Sequence, residues 1–258
     1  MELRPLGSSG LMVSPLGLGT TKLGRNEKVK YPQSFELPSD ADVRELFATA
    51  RHAGINLIDT APAYGTSEAR IGALLPDPQS WVVATKVGET FEDGRSSFDF
   101  SARAIRDSVA RSCRLLRRER LDVVLLHCDD DDVAVLQDGE ALRTLTDLRR
   151  EGRIAAVGAS TKTVRGGFAA VTLCDVVMLA YNRADRSQRP VIDAAMRAGK
   201  GVLIKKPLDS GHDGDPGAAL AAIAAEPGID SAIVGTVNPD HLRANCEAIA
   251  AGEERRER

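Results

Sequence analysis

Eight short apolar runs, each followed by a stretch of helical periodicity, limit what this chain can fold into more than any other feature. The runs occupy 15–20, 56–60, 81–86, 121–127, 154–160, 175–181, 201–205 and 231–236. They are nearly continuous in hydrophobicity, as parallel strands covered on both faces must be. Between them the period changes. Over 101–117, Ile105, Val109, Cys113 and Leu116 share one stripe, and Arg103, Arg106, Arg114 and Arg117 fall off it. Gly54, Gly152 and Gly199 close helical patterns just before the next run, where a left-handed residue is wanted. Strand, helix and glycine recurring about eight times predict a right-handed βα progression. With 258 residues, the pattern predicts an α/β fold, a single closed (β/α)8 TIM barrel. The competing architecture is an open doubly wound sheet, but no glycine-rich dinucleotide fingerprint follows the first run.

The whole of 1–258 reads as one barrel domain. Residues 1–14 pattern as a β-hairpin around Gly7-Ser8-Ser9-Gly10 that closes the barrel bottom. The turn-rich stretch 207–217 reads as a surface loop, and within 207–230 one helix is expected to be short or missing. The tail 251–258 is expected to fray. The connections after the strands look short, which predicts an open mouth.

Composition excludes several classes of function. With 34 basic and 37 acidic residues, the net charge of −3 gives no nucleic-acid footprint. Cys113, Cys128, Cys174 and Cys246 are scattered, which argues against a disulfide framework or a zinc site. No signal-peptide layout opens the chain and no apolar run approaches membrane-spanning length. A soluble cytoplasmic monomer without nucleic-acid or membrane partners is expected.

Chemistry-bearing residues sit at the ends of consecutive runs. Asp59 ends the second, Tyr64 follows five residues later, Lys86 ends the third and His127 the fourth. In a βα barrel the active site is built at the carboxyl ends of the strands, so these four can converge over the mouth. Singly, each has an ordinary structural explanation: a cap, a solvent-facing lysine, a core histidine, a packed turn. Jointly, they compose a proton-delivery device. An ammonium about 4 Å from a phenol favours the phenolate by roughly 4 kcal/mol at an effective dielectric near 20. That predicts a Tyr64 acidified by Lys86, with Asp59 keeping the lysine charged and His127 sharing the substrate oxygen.

The hairpin, GINLIDTAPAYG, ATK, LLH and IVGTVNPDHLRAN together resemble the aldo-keto reductase family over nearly the whole chain. The resemblance implies a (β/α)8 barrel that reduces aldehydes or ketones with hydride from NAD(P)H. It assigns the four catalytic roles to Asp59, Tyr64, Lys86 and His127, with Tyr64 as general acid. It implies cofactor contacts from Gly19 and Thr20, from Ser160 and Thr161, and from Lys205, Lys206 and Leu208. Gly235, Thr236, His241 and Asn245 complete the implied set. Lys205 stands where relatives stack a tyrosine on the nicotinamide, and Met178 where many have a glutamine. Gly235 and His241 stand where several carry cations for a 2′-phosphate. These two departures weaken the grip on that phosphate; NADPH is nonetheless the expected cofactor, with NADH tolerated, and a small-molecule carbonyl the expected substrate.

Two other readings remain at this stage. One is a nucleotide-binding regulatory subunit on the same barrel with little turnover. The other is an open-sheet dehydrogenase, which would need the missing fingerprint. The acidic run 129–132 reads as a solvated loop rather than a metal site, and one that would disfavour anionic substrates at the mouth. His52 and His212 have no partners legible in the sequence.

Overall fold

The computed structural model describes residues 1–256. The chain begins with β1 (Arg4–Pro5), β2 (Met12–Val13), β3 (Leu16–Gly19), α1 (Thr21–Gly24) and α2 (Asp40–His52). Next come β4 (Leu57–Asp59), α3 (Ser67–Leu74), β5 (Val82–Val87), β6 (Glu89–Glu92), β7 (Arg95–Phe98) and α4 (Ala102–Leu116). The central part holds β8 (Leu121–His127), α5 (Asp132–Asp138), α6 (Glu140–Arg150), β9 (Ile154–Ser160), α7 (Val164–Leu173) and β10 (Val176–Ala180). It ends with α8 (Arg189–Arg197), β11 (Gly201–Lys205), α9 (Pro216–Ala225), β12 (Ser231–Val234) and α10 (Pro239–Arg256). Eight parallel strands close a barrel in the order β10–β11–β12–β3–β4–β5–β8–β9, one for each apolar run.

Two layers of core hold it. Inside the barrel, Leu57, Ala84, Leu125, Met178, Leu203 and Ile233 meet Leu6 and Val13 from the β1–β2 hairpin. Each such side chain contributes about 1.5–3 kcal/mol by leaving water. Gly7, at φ +50°, lies so close to the start of β11 that a Cβ would stand 2.2 Å from the Gly201 nitrogen. The hairpin therefore plugs the amino end and leaves the carboxyl rim free for chemistry. Outside, the α4 stripe of Ile105, Val109, Cys113 and Leu116 is buried against the strands, as its periodicity predicts.

Several expectations need correction. The stretch 207–230 holds a complete ten-residue helix, α9, capped by Asp215. The tail does not fray from 251: α10 continues to Arg256, and Glu253 pairs with Arg4 of the hairpin. Residues 257 and 258 lie outside the described residues. The mouth is also less open than expected. The β6–β7 hairpin rises from the rim directly after β5. The segment 25–39 reaches across from β3: Tyr31 packs edge-on to Phe35 and its hydroxyl approaches Gly235 beyond β12, while Pro32 approaches Gly211 beyond β11.

Candidate active site

The carboxyl ends of β4, β5 and β8 are neighbours, and their register sets Asp59 opposite Ala84 and Lys86 opposite Leu125. Lys86 is 1% exposed and donates to Asp59 Oδ1 at 2.5 Å and to the Thr60 carbonyl at 2.9 Å. Its Nζ stands 4.8 Å from the centre of the Tyr64 ring. The Tyr64 and His127 rings meet edge to face with centroids 6.4 Å apart. All four residues assigned to catalysis therefore converge at one place on the rim.

Close backbone contact aims Tyr64. Its short 3-10 turn, Pro62–Tyr64, starts on a proline and ends at Gly65, whose φ is +60°. A Cβ on Gly65 would lie 2.2 Å from the Gly24 carbonyl oxygen, and one on Gly24 would lie 2.4 Å from the Tyr64 carbonyl oxygen. Two glycines thus let α1 and the Pro62–Tyr64 turn touch main chain to main chain. Beneath them, the Thr20 hydroxyl donates to the Asp59 carbonyl, and Ser67 Oγ donates to Thr20 Oγ1 at 2.7 Å. Thr20 is thereby fully buried, with its hydroxyl engaged below the mouth.

The electrostatics differ from the sequence expectation in one respect. Burial pulls Lys86 down, but Asp59 and Tyr64 outweigh it and hold the lysine above its ordinary range, so it stays charged. Burial pushes the Tyr64 phenol up, Lys86 pulls it back, and the net direction is up. An acidified tyrosine was expected. Desolvation of the phenolate, with the lysine charge already shared by Asp59, reverses that. The consequence suits a proton donor: the phenol is fully loaded at neutral pH, and the ammonium stabilises the phenolate as the proton departs.

Glu89, on β6, was not legible in the sequence. Its Oε2 lies 2.7 Å from His127 Nδ1, at an angle that does not complete a hydrogen bond, and its Oε1 accepts from Ser96 Oγ of β7. Burial opposes the charge, yet His127, Ser96 and Arg25 hold Glu89 down at about 2. His127 is itself lowered, by burial first and by Lys86 and Lys205 beyond Glu89, so the ring is neutral at pH 7. Arg25 ties the same parts together, donating to the Ala63 carbonyl with its guanidinium 3.3 Å above the Phe91 ring.

A cavity of about 560 Å³ opens over this cluster. Of the residues expected to hold a cofactor, Gly19, Thr161, Lys205, Lys206, Leu208 and Gly235 line it. Ser160 lies just beneath, accepting from Lys205 Nζ at 2.8 Å. Thr236, His241 and Asn245 lie outside its wall, around the start of α10; there Thr236 Oγ1 accepts from the Asn238 nitrogen. The acidic run is not a solvated loop throughout. Asp132 is buried and accepts from the Lys162 and Thr163 nitrogens and from Thr163 Oγ1, fastening the start of α7. Asp130 does reach the mouth, but pairs there with Lys162 at 2.8 Å, which removes the expected acidic barrier. Among the described residues no cluster of side chains is arranged to hold a metal, all four cysteines are free, and no helix is long and apolar enough to cross a membrane.

The aldo/keto reductase family model matches residues 15–213. Over 166 residues, 61% of this chain, the sequence is 37% identical to the L-galactose dehydrogenase of Arabidopsis thaliana, covering 48% of that protein. Over 228 residues, 82% of this chain, it is 28% identical to the NADH-specific methylglyoxal reductase of Escherichia coli, covering 68% of it. The chain thus spans about half to two thirds of these curated relatives. A solved candidate aldo-keto reductase from Pseudomonas aeruginosa matches with a TM-score of 0.90 at 47% identity, over 97% of this chain and 95% of that one.

Proposed function

This chain belongs to the aldo/keto reductase family, and on that footing we propose that it reduces small aldehydes or ketones to alcohols with NAD(P)H, Tyr64 acting as general acid. The observation that carries the proposal is the buried Lys86, 2.5 Å from Asp59 Oδ1 and 4.8 Å from the Tyr64 ring centre, behind a cavity that Asp59, Tyr64 and His127 line.

The wall facing this cluster fits a nicotinamide dinucleotide. Thr161 Oγ1 is buried without a hydrogen-bond partner, ready for an amide group. Gly19 keeps the wall flat, since a Cβ there would come 3.1 Å from Ile233. Lys206 brings a cation suited to a phosphate. When bound, the reduced cofactor supplies hydride. The chain's own part is the proton. Tyr64 delivers it to the substrate oxygen as negative charge develops there, and Lys86 stabilises the phenolate left behind. Asp59 holds Lys86 charged and aimed. His127, flanked by Glu89, orients the substrate.

NADPH was the expected cofactor. A strong preference for it over NADH is not favoured by the residues present: Arg243 is engaged with Asp240, and Thr236 accepts from its own turn. We expect the two cofactors to support turnover within about tenfold of each other, a 1.4 kcal/mol difference. The test is multiple turnover of a panel of aldehydes and ketones with each cofactor. Oxidation of many equivalents supports a reductase. Oxidation of one equivalent per chain and no more would instead favour a redox-sensing regulatory subunit.

A further inference from the structure

Lys205 is a half-buried cation of the mouth that the proposed proton chemistry leaves unused. It ends β11, which lies diametrically across the barrel from β5, four strands away in either direction, so Lys205 and Lys86 face each other over the mouth. Lys86 pairs with Asp59 and Lys162 with Asp130. Among the described residues, Lys205 has no carboxylate partner; its Nζ donates only to the neutral Ser160 hydroxyl.

The reduction proposed above sets the carbonyl oxygen against Tyr64, on the β4–β5 side. Hydride transfer needs the donor ring within about 3–3.5 Å of the carbonyl carbon. The ring must then occupy the mouth between that wall and β11, facing Lys205. Its charge there depends on its oxidation state: oxidised nicotinamide is a cationic pyridinium, and the reduced ring is neutral. The phosphates, riboses and adenine are the same in both. A cation facing a phosphate acts on both forms alike, but a cation facing the ring does not.

We propose that Lys205 selects the oxidation state of the cofactor, so that the site holds reduced nicotinamide more tightly than oxidised, loading with the reduced form and releasing the oxidised one. The proposal rests on the reading that the mouth takes a nicotinamide dinucleotide, and it adds which oxidation state the site retains.

The charge is conditional. Burial, then Lys206 and Lys86, bring Lys205 down to about 7. The other facing groups are settled near that pH. Cys128 of the β8 rim is pushed up to about 12 by burial and stays a neutral thiol. His127 is lowered and neutral, Lys162 and Asp130 neutralise each other, Asp59 is matched by Lys86, and Ser160 and Thr161 carry no charge. A pyridinium lowers Lys205 further, so binding of the oxidised form expels a proton. Below about pH 7 the ammonium is present and the oxidised form is disfavoured. Above it the amine is neutral and the preference fades.

Calorimetric titration of the full chain with NADPH and with NADP⁺, at pH 6 and pH 8.5, reads this directly. The quantity is the ratio of the oxidised to the reduced dissociation constant, in which 2′-phosphate and pyrophosphate contributions cancel. In wild type the ratio should rise roughly tenfold from pH 8.5 to pH 6, the limit for a group titrating near 7. Lys205→Met should hold it at the low value at both pH values. Lys205→Arg, charged throughout, should hold it high at both. A ratio that does not change with pH in wild type, or that is unchanged by Lys205→Met, overturns the proposal. NADPH binding serves as the folding check on each variant. Wild type that binds neither form would overturn the cofactor reading itself, a result distinct from binding both forms equally.

Discussion

The two walls of the mouth are built on opposite plans. On the β4–β5–β8 side the charged groups have answering ones: Lys86 with Asp59, and Glu89 with Arg25 nearby. Beneath them runs a chain of buried hydroxyls, Thr20, Ser67 and Thr60. On the β9–β11 side, Lys205 faces the cavity without a counter-charge, and the buried Thr161 hydroxyl has no partner at all. Apart from His127 Nδ1, the first wall is paired before any ligand arrives, as the proposed proton donor requires, since reorganisation at the moment of reaction would raise the barrier. The second retains unmatched donors and charge, which a ligand can satisfy. The contrast divides chemistry from binding, and substitutions on the two walls should separate along the same line.

Lys86→Met strikes the finished wall hardest. It leaves Asp59 buried without a partner, and urea unfolding should show a loss of about 3–5 kcal/mol. Aldehyde turnover should fall at least about a hundredfold, the lower range for a displaced acid–base group. Asp132→Ala should cost about 1–3 kcal/mol by leaving the Lys162 and Thr163 amides and the Thr163 hydroxyl, at the start of α7, without their acceptor, read by urea unfolding. Glu89→Gln should act through His127, lowering kcat about tenfold with no change in cofactor affinity, as expected of a residue that positions an acid–base group. Its effect on stability has a definite sign. Glu89 titrates at about 2 in the fold against 4.5 for an ordinary glutamate. Its stabilisation is thus present above about 4.5 and lost as pH falls toward 2. Wild type should lose more stability than Glu89→Gln between pH 5 and pH 3. Smallest of all, Asp130→Asn breaks an exposed pair with Lys162 and should leave the melting temperature unchanged.

The barrel was legible because a strand covered on both faces must be apolar throughout, and each of the eight runs became a strand. The four residues of the proposed proton wall were legible because Asp59, Lys86 and His127 stand at the ends of those runs and Tyr64 follows one of them by five residues. Glu89 was not. Its strand, ETFE, is largely half-buried and the next, RSSF, is exposed, and they show neither continuous nor alternating hydrophobicity. The cover of 25–39 was missed for the same reason, being held by Lys22, 4.2 Å above the Tyr31 ring, and by packing at Gly211 and Gly235 rather than by a pattern. Helix α9 escaped because its alanine-rich sequence has no polar stripe to set a period. Four consecutive aspartates could not reveal which one turns inward, and it is Asp132. The direction of the Tyr64 shift depended on ranking burial against a neighbouring charge, and burial is a property of the folded chain.

The most direct measurement is aldehyde reduction by Tyr64→Phe, made alongside NADPH binding by the same protein. The phenyl ring keeps the edge-to-face packing against His127 and lacks only the hydroxyl. Cofactor affinity within about twofold of wild type with turnover down at least a hundredfold is the predicted result. A Tyr64→Phe protein that binds NADPH and turns over at near wild-type rate would contradict the account at its centre.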